Sequence, residues 1–125
     1  MALSADRNTL YVAETFARRV IAIEIDDRGA TGEKPVVVER LPDGLAVDAA
    51  GNLLVTCYEP SRIYRLDRDG SFELLLDDPD AHMLCHPTNC AFRGNELFIA
   101  NLGRCHITHV TLDVGGLPLP IPTPA

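Results

Sequence analysis

Leu45-Ala46-Val47-Asp48-Ala49-Ala50-Gly51-Asn52-Leu53-Leu54-Val55-Thr56 is the middle copy of a repeat, and that repeat decides the fold. The copy before it is Leu3-Ser4-Ala5-Asp6-Arg7-Asn8-Thr9-Leu10-Tyr11-Val12-Ala13. The copy after it is Cys90-Ala91-Phe92-Arg93-Gly94-Asn95-Glu96-Leu97-Phe98-Ile99-Ala100. Leu10 precedes Leu53 by 43 residues, and Leu53 precedes Leu97 by 44. A fixed period of this size marks an architecture in which each unit buries its apolar face against its neighbours.

Each copy leads into a further apolar run: Arg19–Ile25, Arg62–Leu66 and His106–Leu112. These runs alternate or stay apolar over five to seven residues, and they are rich in Val, Ile, Tyr and Phe. That is strand chemistry. Asp26-Asp27-Arg28-Gly29, Ala50-Gly51-Asn52, Asp67-Arg68-Asp69-Gly70 and Arg93-Gly94-Asn95 supply the turns. Pro35–Glu39 and Ser71–Leu76 are candidate fourth strands. Four strands in about 40–45 residues is the size of a β-propeller blade. A three-repeat sheet or sandwich is the competing all-β reading, and the regular period weighs against it.

At this period, 125 residues supply just under three blades. The third has no obvious fourth strand, because Leu117-Pro118-Leu119-Pro120-Ile121-Pro122-Thr123-Pro124 lacks ladder donors at its prolines. The expected division is a partial propeller over 1–117, with blades at 1–40, 41–80 and 86–117, and a Pro-rich tail over 118–125. Closed propellers have at least four blades. The sequence therefore reads as a fragment, or as an incomplete ring that closes by self-association.

Composition narrows the function. Hydrophobic residues make up 46% and charged residues 23%, enough for a core. Asp plus Glu number 18 against 11 Lys plus Arg, a net charge of -7, and the arginines are scattered. No cationic patch for nucleic acid is expected. The apolar runs fall far short of a membrane span. The N-terminus lacks a basic start followed by an apolar stretch, so no secretory signal is read there and a cytoplasmic location is expected.

The cysteines stand at Cys57, Cys85, Cys90 and Cys105, with gaps of 28, 5 and 15 residues. No Cys-x-x-Cys occurs, which makes a poor disulfide or zinc framework. Cys85, His86, Cys90, Cys105, His106 and His109 have the right chemistry for Zn²⁺ but not its paired spacing. Cys57 and Cys90, set in strand-like runs, read as reduced, buried small hydrophobes.

The innermost strands of a propeller line its channel, and the residues leading into them form its mouth. In the second repeat these are Leu41-Pro42-Asp43-Gly44, which places Asp43 in a constrained turn as a candidate cation ligand or base. Pro-Asp-Gly is also an ordinary β-turn sequence. In the third repeat Thr88 matches Asp43 and Asn89 matches Gly44, and both offer oxygens. The match in the first repeat falls just before Met1.

Pro42-Asp43-Gly44-Leu45-Ala46-Val47-Asp48, Arg62-Ile63-Tyr64-Arg65-Leu66-Asp67, Pro87-Thr88-Asn89-Cys90 and Leu97-Phe98-Ile99-Ala100-Asn101-Leu102-Gly103-Arg104 resemble the C-terminal half of the regucalcin/gluconolactonase (senescence marker protein) family. The resemblance covers residues 2 to 117. It implies a six-bladed propeller with one divalent cation in the channel, Ca²⁺ first and Zn²⁺ or Mn²⁺ otherwise. It also implies hydrolysis of small-molecule lactones, notably sugar lactones. The family holds its metal with a Glu, two Asn and an Asp. The Asp carries over to Asp43, and the other ligands have no counterpart in this chain.

On that basis Asp43 is expected to bind metal and accept a proton, with Thr88, Asn89 and Arg104 as candidate substrate contacts. Two other readings share the fold. One is a non-catalytic propeller binding module. The other is a strictosidine-synthase-like propeller, which Val12-Ala13-Glu14-Thr15 with Arg18-Arg19 also resembles.

Overall fold

The computed structural model describes residues 1–30 and 32–119, all as strands, turns and connections. Of the expected Pro-rich tail, residues 120–125 lie outside the described residues. Among the described residues no helix is long and apolar enough to cross a membrane.

Three antiparallel sheets follow one another along the chain. In the first, β1 (Ala2–Leu3), β2 (Thr9–Glu14) and β3 (Arg19–Asp26) are adjacent, and β3 also pairs with β4 (Gly29–Ala30) and β5 (Val36–Val38). The second is a four-stranded meander of β6 (Pro42–Val47), β7 (Leu53–Cys57), β8 (Arg62–Leu66) and β9 (Phe72–Asp77). The third has three strands, β10 (Pro87–Arg93), β11 (Glu96–Asn101) and β12 (Ile107–Thr111). The candidate fourth strands form as β5 and β9, and the third sheet ends at three strands.

The sheets stack face to face as blades of a partial β-propeller, and β7 shows why. All five of its residues, Leu53-Leu54-Val55-Thr56-Cys57, are buried. A strand covered on both faces reads as a continuous apolar run. Leu53, Val55 and Cys57 join Leu45, Val47, Tyr64, Val20 and Val38 in a core between the first and second sheets. Leu54 joins Ile63, Leu84, Leu97 and Ile99 in a core between the second and third. Alternate side chains of one strand thus serve two inter-blade cores.

Among the described residues no further sheet packs on the outer faces of the end sheets, although on the first that face is half-buried and Ile21 is 7% exposed. On β2 and β3 the pairs Tyr11–Ala22 and Ala13–Val20 face the second sheet, so Leu10–Ile23 and Val12–Ile21 face away from it. On the third sheet, Phe98 stacks on His109 with centroids 4.7 Å apart, and Ile107 is 67% exposed. Leu97 and Ile99, which flank Phe98 along the chain, are buried on the opposite face.

After β12 the chain crosses back to the second sheet. Gly116 bridges Asp48, the Ala49 N–H donates to the Gly115 carbonyl at 2.8 Å, and the Leu117 N–H donates to the Val47 carbonyl at 3.0 Å. Gly116 lies flat on Phe92; a Cβ there would sit 2.1 Å from the Phe92 Cβ. Leu117 packs against the first core.

Candidate functional site at the start of the inner strands

Strand β6 lies between β1 and β10, and these three strands begin the three sheets. Pro42-Asp43-Gly44 is expected as a turn, but it is the bulged start of β6. Pro42 pairs with Cys57, and the register shifts before Leu45 pairs with Val55. A bulge re-aims the side chain at its extra residue, here beside Asp43.

Gly44 is required there for closeness. A Cβ at Gly44 would lie 2.2 Å from the Thr88 carbonyl oxygen and 2.7 Å from the Asn89 Cα. The second and third sheets therefore touch backbone to backbone at the pair of positions matched by the repeat. Asp43, Thr88 and Asn89 are brought together by this approach.

Thr56 fastens it. Its Oγ1 accepts the Gly44 N–H at 2.8 Å and donates to the Thr88 carbonyl at 2.5 Å. Thr56 is fully buried. Sequence reasoning passed over it, although a hydroxyl within the apolar run of β7 needs buried partners and so signals a cross-link.

Asp43 is half-buried. Burial raises its carboxyl above the ordinary value, and among the described residues it has no hydrogen-bond or ion-pair partner. Asp48, at the other end of β6, is its opposite. Its oxygens accept the N–H groups of Ala50 and Asn52 at 3.0 and 2.9 Å and the Asn52 side-chain amide at 3.0 Å. Asp48 closes a hairpin; Asp43 is a partly desolvated carboxylate without a partner among the described residues.

The donor set fits a divalent cation as one ligand of several. Asp43 supplies a hard anionic oxygen, but no three His, Cys, Asp or Glu side chains converge as a metal group among the described residues. Ca²⁺ takes six to eight oxygens. The cysteines are all free: Cys57 and Cys85 buried, Cys90 half-buried and Cys105 exposed. Burial pushes the Cys57 thiol up to about 11 and the Cys90 thiol to about 12.

Thr88 is half-buried, its Oγ1 3.4 Å from the Ala100 carbonyl, and Asn89 is exposed. Arg104 is exposed on the β11–β12 hairpin and makes no hydrogen bond or ion pair among the described residues. That hairpin leans on the entry to β10, because a Cβ at Gly103 would meet the Cys85 Sγ at 2.4 Å and the His86 Cδ2 at 2.7 Å. Tyr58 is half-buried and stacked on His86 with centroids 4.5 Å apart.

With this geometry in view, the chain belongs to the SMP-30/gluconolactonase/LRE-like family, whose model matches residues 1–102. It is 32% identical over 103 residues to a pentonolactonase from Haloferax volcanii, covering 78% of this chain and 34% of that protein. It superposes on a gluconolactonase from Xanthomonas campestris with TM-score 0.70 and 26% identity, over 94% of this chain and 36% of that one. A regucalcin from Agrobacterium tumefaciens, described as a calcium-binding protein, superposes with TM-score 0.66 at 20% identity, over 93% of this chain and 45% of that one. The chain spans about a third or less of the length of the curated relatives it matches.

Proposed function

We propose that this chain is a portion of a metal-dependent lactone hydrolase of the gluconolactonase type, opening small sugar lactones. The observation that carries the reading is Asp43: a half-buried carboxylate raised by burial, without a partner among the described residues, at the bulged start of an inner strand. In lactone opening a water oxygen bonds to the acyl carbon, the ring C–O bond breaks, and the water's proton ends on the freed ring oxygen. Asp43, as carboxylate, takes that proton from the water. A raised carboxyl is a better proton acceptor than an ordinary one. Thr88 and Asn89 bind substrate hydroxyls beside it, and Arg104 reaches the ligand from the hairpin.

When bound, a divalent cation such as Ca²⁺, Zn²⁺ or Mn²⁺ polarises the lactone carbonyl and acidifies water. Asp43 is the ligand that this stretch contributes. Four free cysteines suit a reducing compartment, which supports a cytoplasmic location.

Self-association is part of the same reading. The aliphatic outer face of the first sheet and the Phe98–Ile107 face of the third are the ends of a partial ring. Two copies related by a two-fold axis bring unlike ends together twice, which closes a six-bladed ring.

The test is a graft. The corresponding stretch of the Haloferax pentonolactonase is replaced by residues 1–117 of this chain, which keep Arg104 and β12, and lactone opening is followed in a pH-stat. Cation-dependent turnover is expected. A folded graft without turnover contradicts the reading.

A further inference from the structure

His86 stands immediately before Pro87 with φ 52°. The residue before proline favours extended backbone, and a non-glycine residue in the left-handed region is held there by its surroundings. The His86 N–H donates to the Ser61 Oγ at 3.1 Å, and its carbonyl accepts the Leu102 N–H at 3.1 Å. The ring is stacked on Tyr58, and its Nδ1 lies 3.2 Å from the Tyr58 carbonyl oxygen. A carbonyl oxygen can only accept, so Nδ1 carries a proton directed at it and Nε2 is the ring nitrogen turned away from that bond. Among the described residues Nε2 has no hydrogen-bond partner.

The ring borders a cavity of ≈ 590 Å³, also lined by Arg18, Leu41, Glu59, Ser61 and Pro79. Arg18 is the cation there, and no carboxylate pairs with it among the described residues. Neighbouring arginines are committed elsewhere. Arg62 binds Asp77 at 2.6 Å, and Arg40 lies over the Tyr64 and Phe72 rings. The Leu41 carbonyl accepts the Tyr58 N–H at 3.3 Å, so the cavity wall is fastened two residues before Asp43.

We propose that this cavity binds a hydroxycarboxylate, with its carboxylate on Arg18 and a hydroxyl hydrogen-bonded to His86 Nε2. The choice of ligand rests on the lactonase reading, because opening a lactone yields a hydroxycarboxylate. Glu59, 3.8 Å from His86 Nδ1, sets the charge limit: a second negative charge on the ligand meets its carboxylate.

The experiment titrates the full chain with gluconate, and separately with sorbitol as the neutral polyol, reading imidazole nitrogens in long-range ¹H–¹⁵N spectra. Gluconate is expected to move His86 Nε2 saturably, and Arg18→Gln to weaken gluconate about fivefold while leaving sorbitol unchanged. His86→Phe, which keeps a ring on Tyr58, is expected to weaken both. No saturable shift, or gluconate binding untouched by Arg18→Gln, overturns the proposal; Arg18 is exposed, so that variant remains informative if His86→Phe does not fold. An active graft with no gluconate shift rejects this site alone. An inactive graft with intact gluconate binding rejects the lactonase reading alone.

Discussion

The buried hydroxyl of Thr56 donates to the backbone carbonyl of Thr88, 32 residues away in the next sheet, at 2.5 Å. The same oxygen accepts the Gly44 N–H at 2.8 Å. One side chain therefore holds the entry of β6 against the entry of β10, where Asp43 and Asn89 emerge. Thr56→Val keeps the shape and leaves both backbone groups unsatisfied. It is expected to lower stability by about 1–3 kcal/mol in urea unfolding, and Thr56→Ser to recover most of that loss. Equal midpoints for Val and Thr would remove the hydroxyl from this role.

Thiol accessibility reads the inter-blade packing. Cys57 lies in the first core and Cys90 packs against the second. Burial pushes their thiols up to about 11 and about 12, far from thiolate at neutral pH. Native labelling with a disulfide reagent is expected to modify Cys105 first, the exposed thiol, with Cys57 and Cys90 reacting after denaturation. Fast native labelling of Cys57, read by peptide mapping, would mean that the first and second sheets are not packed together.

Asp43 ties stability to pH with a definite sign. Its carboxyl is raised in the folded chain by burial, so folding favours the protonated form. Its contribution is fully present below the ordinary carboxylate value and is lost as pH rises through the raised one. Asp43→Asn is therefore expected to melt above the parent at pH 7, with the difference shrinking as the pH falls through the raised carboxyl value and gone below the ordinary carboxylate range. A variant less stable at pH 7 would show that the carboxylate has a stabilising partner.

The end faces, which no further sheet covers among the described residues, predict assembly. Light scattering after size exclusion is expected to give twice the chain mass, and Val12→Asp, on the outer face of the first sheet, to shift it to monomer. A monodisperse monomer with a cooperative melt would contradict closure by a second copy.

The repeat made the sheets legible because strand spacing and turn residues are local signals. The continuous apolar run of β7 was readable for the same reason: both of its faces are covered. Pro42-Asp43-Gly44 read as a turn because Pro and Gly carry turn chemistry in isolation. In the fold the glycine is needed for the approach of Thr88 and Asn89, a contact 44 residues distant that local pattern does not encode. Thr56 was hidden in an apolar run, His86 by a left-handed backbone that favours glycine, and the return of residues 115–117 to β6 by the absence of any strand pattern in Gly115-Gly116-Leu117. Each depends on contacts between repeats.

The central claim, that Asp43 is the working carboxylate of a lactone-opening site, is tested most directly by the grafted enzyme. The measurement is the initial rate of lactone opening for the Asp43 and Asp43→Asn forms at one pH and saturating cation. Asn keeps the shape and removes the charge. The account predicts a fall of about 10²–10⁴-fold with the fold retained, the range of a lost proton acceptor. A variant that turns over lactone at the parent rate would contradict it.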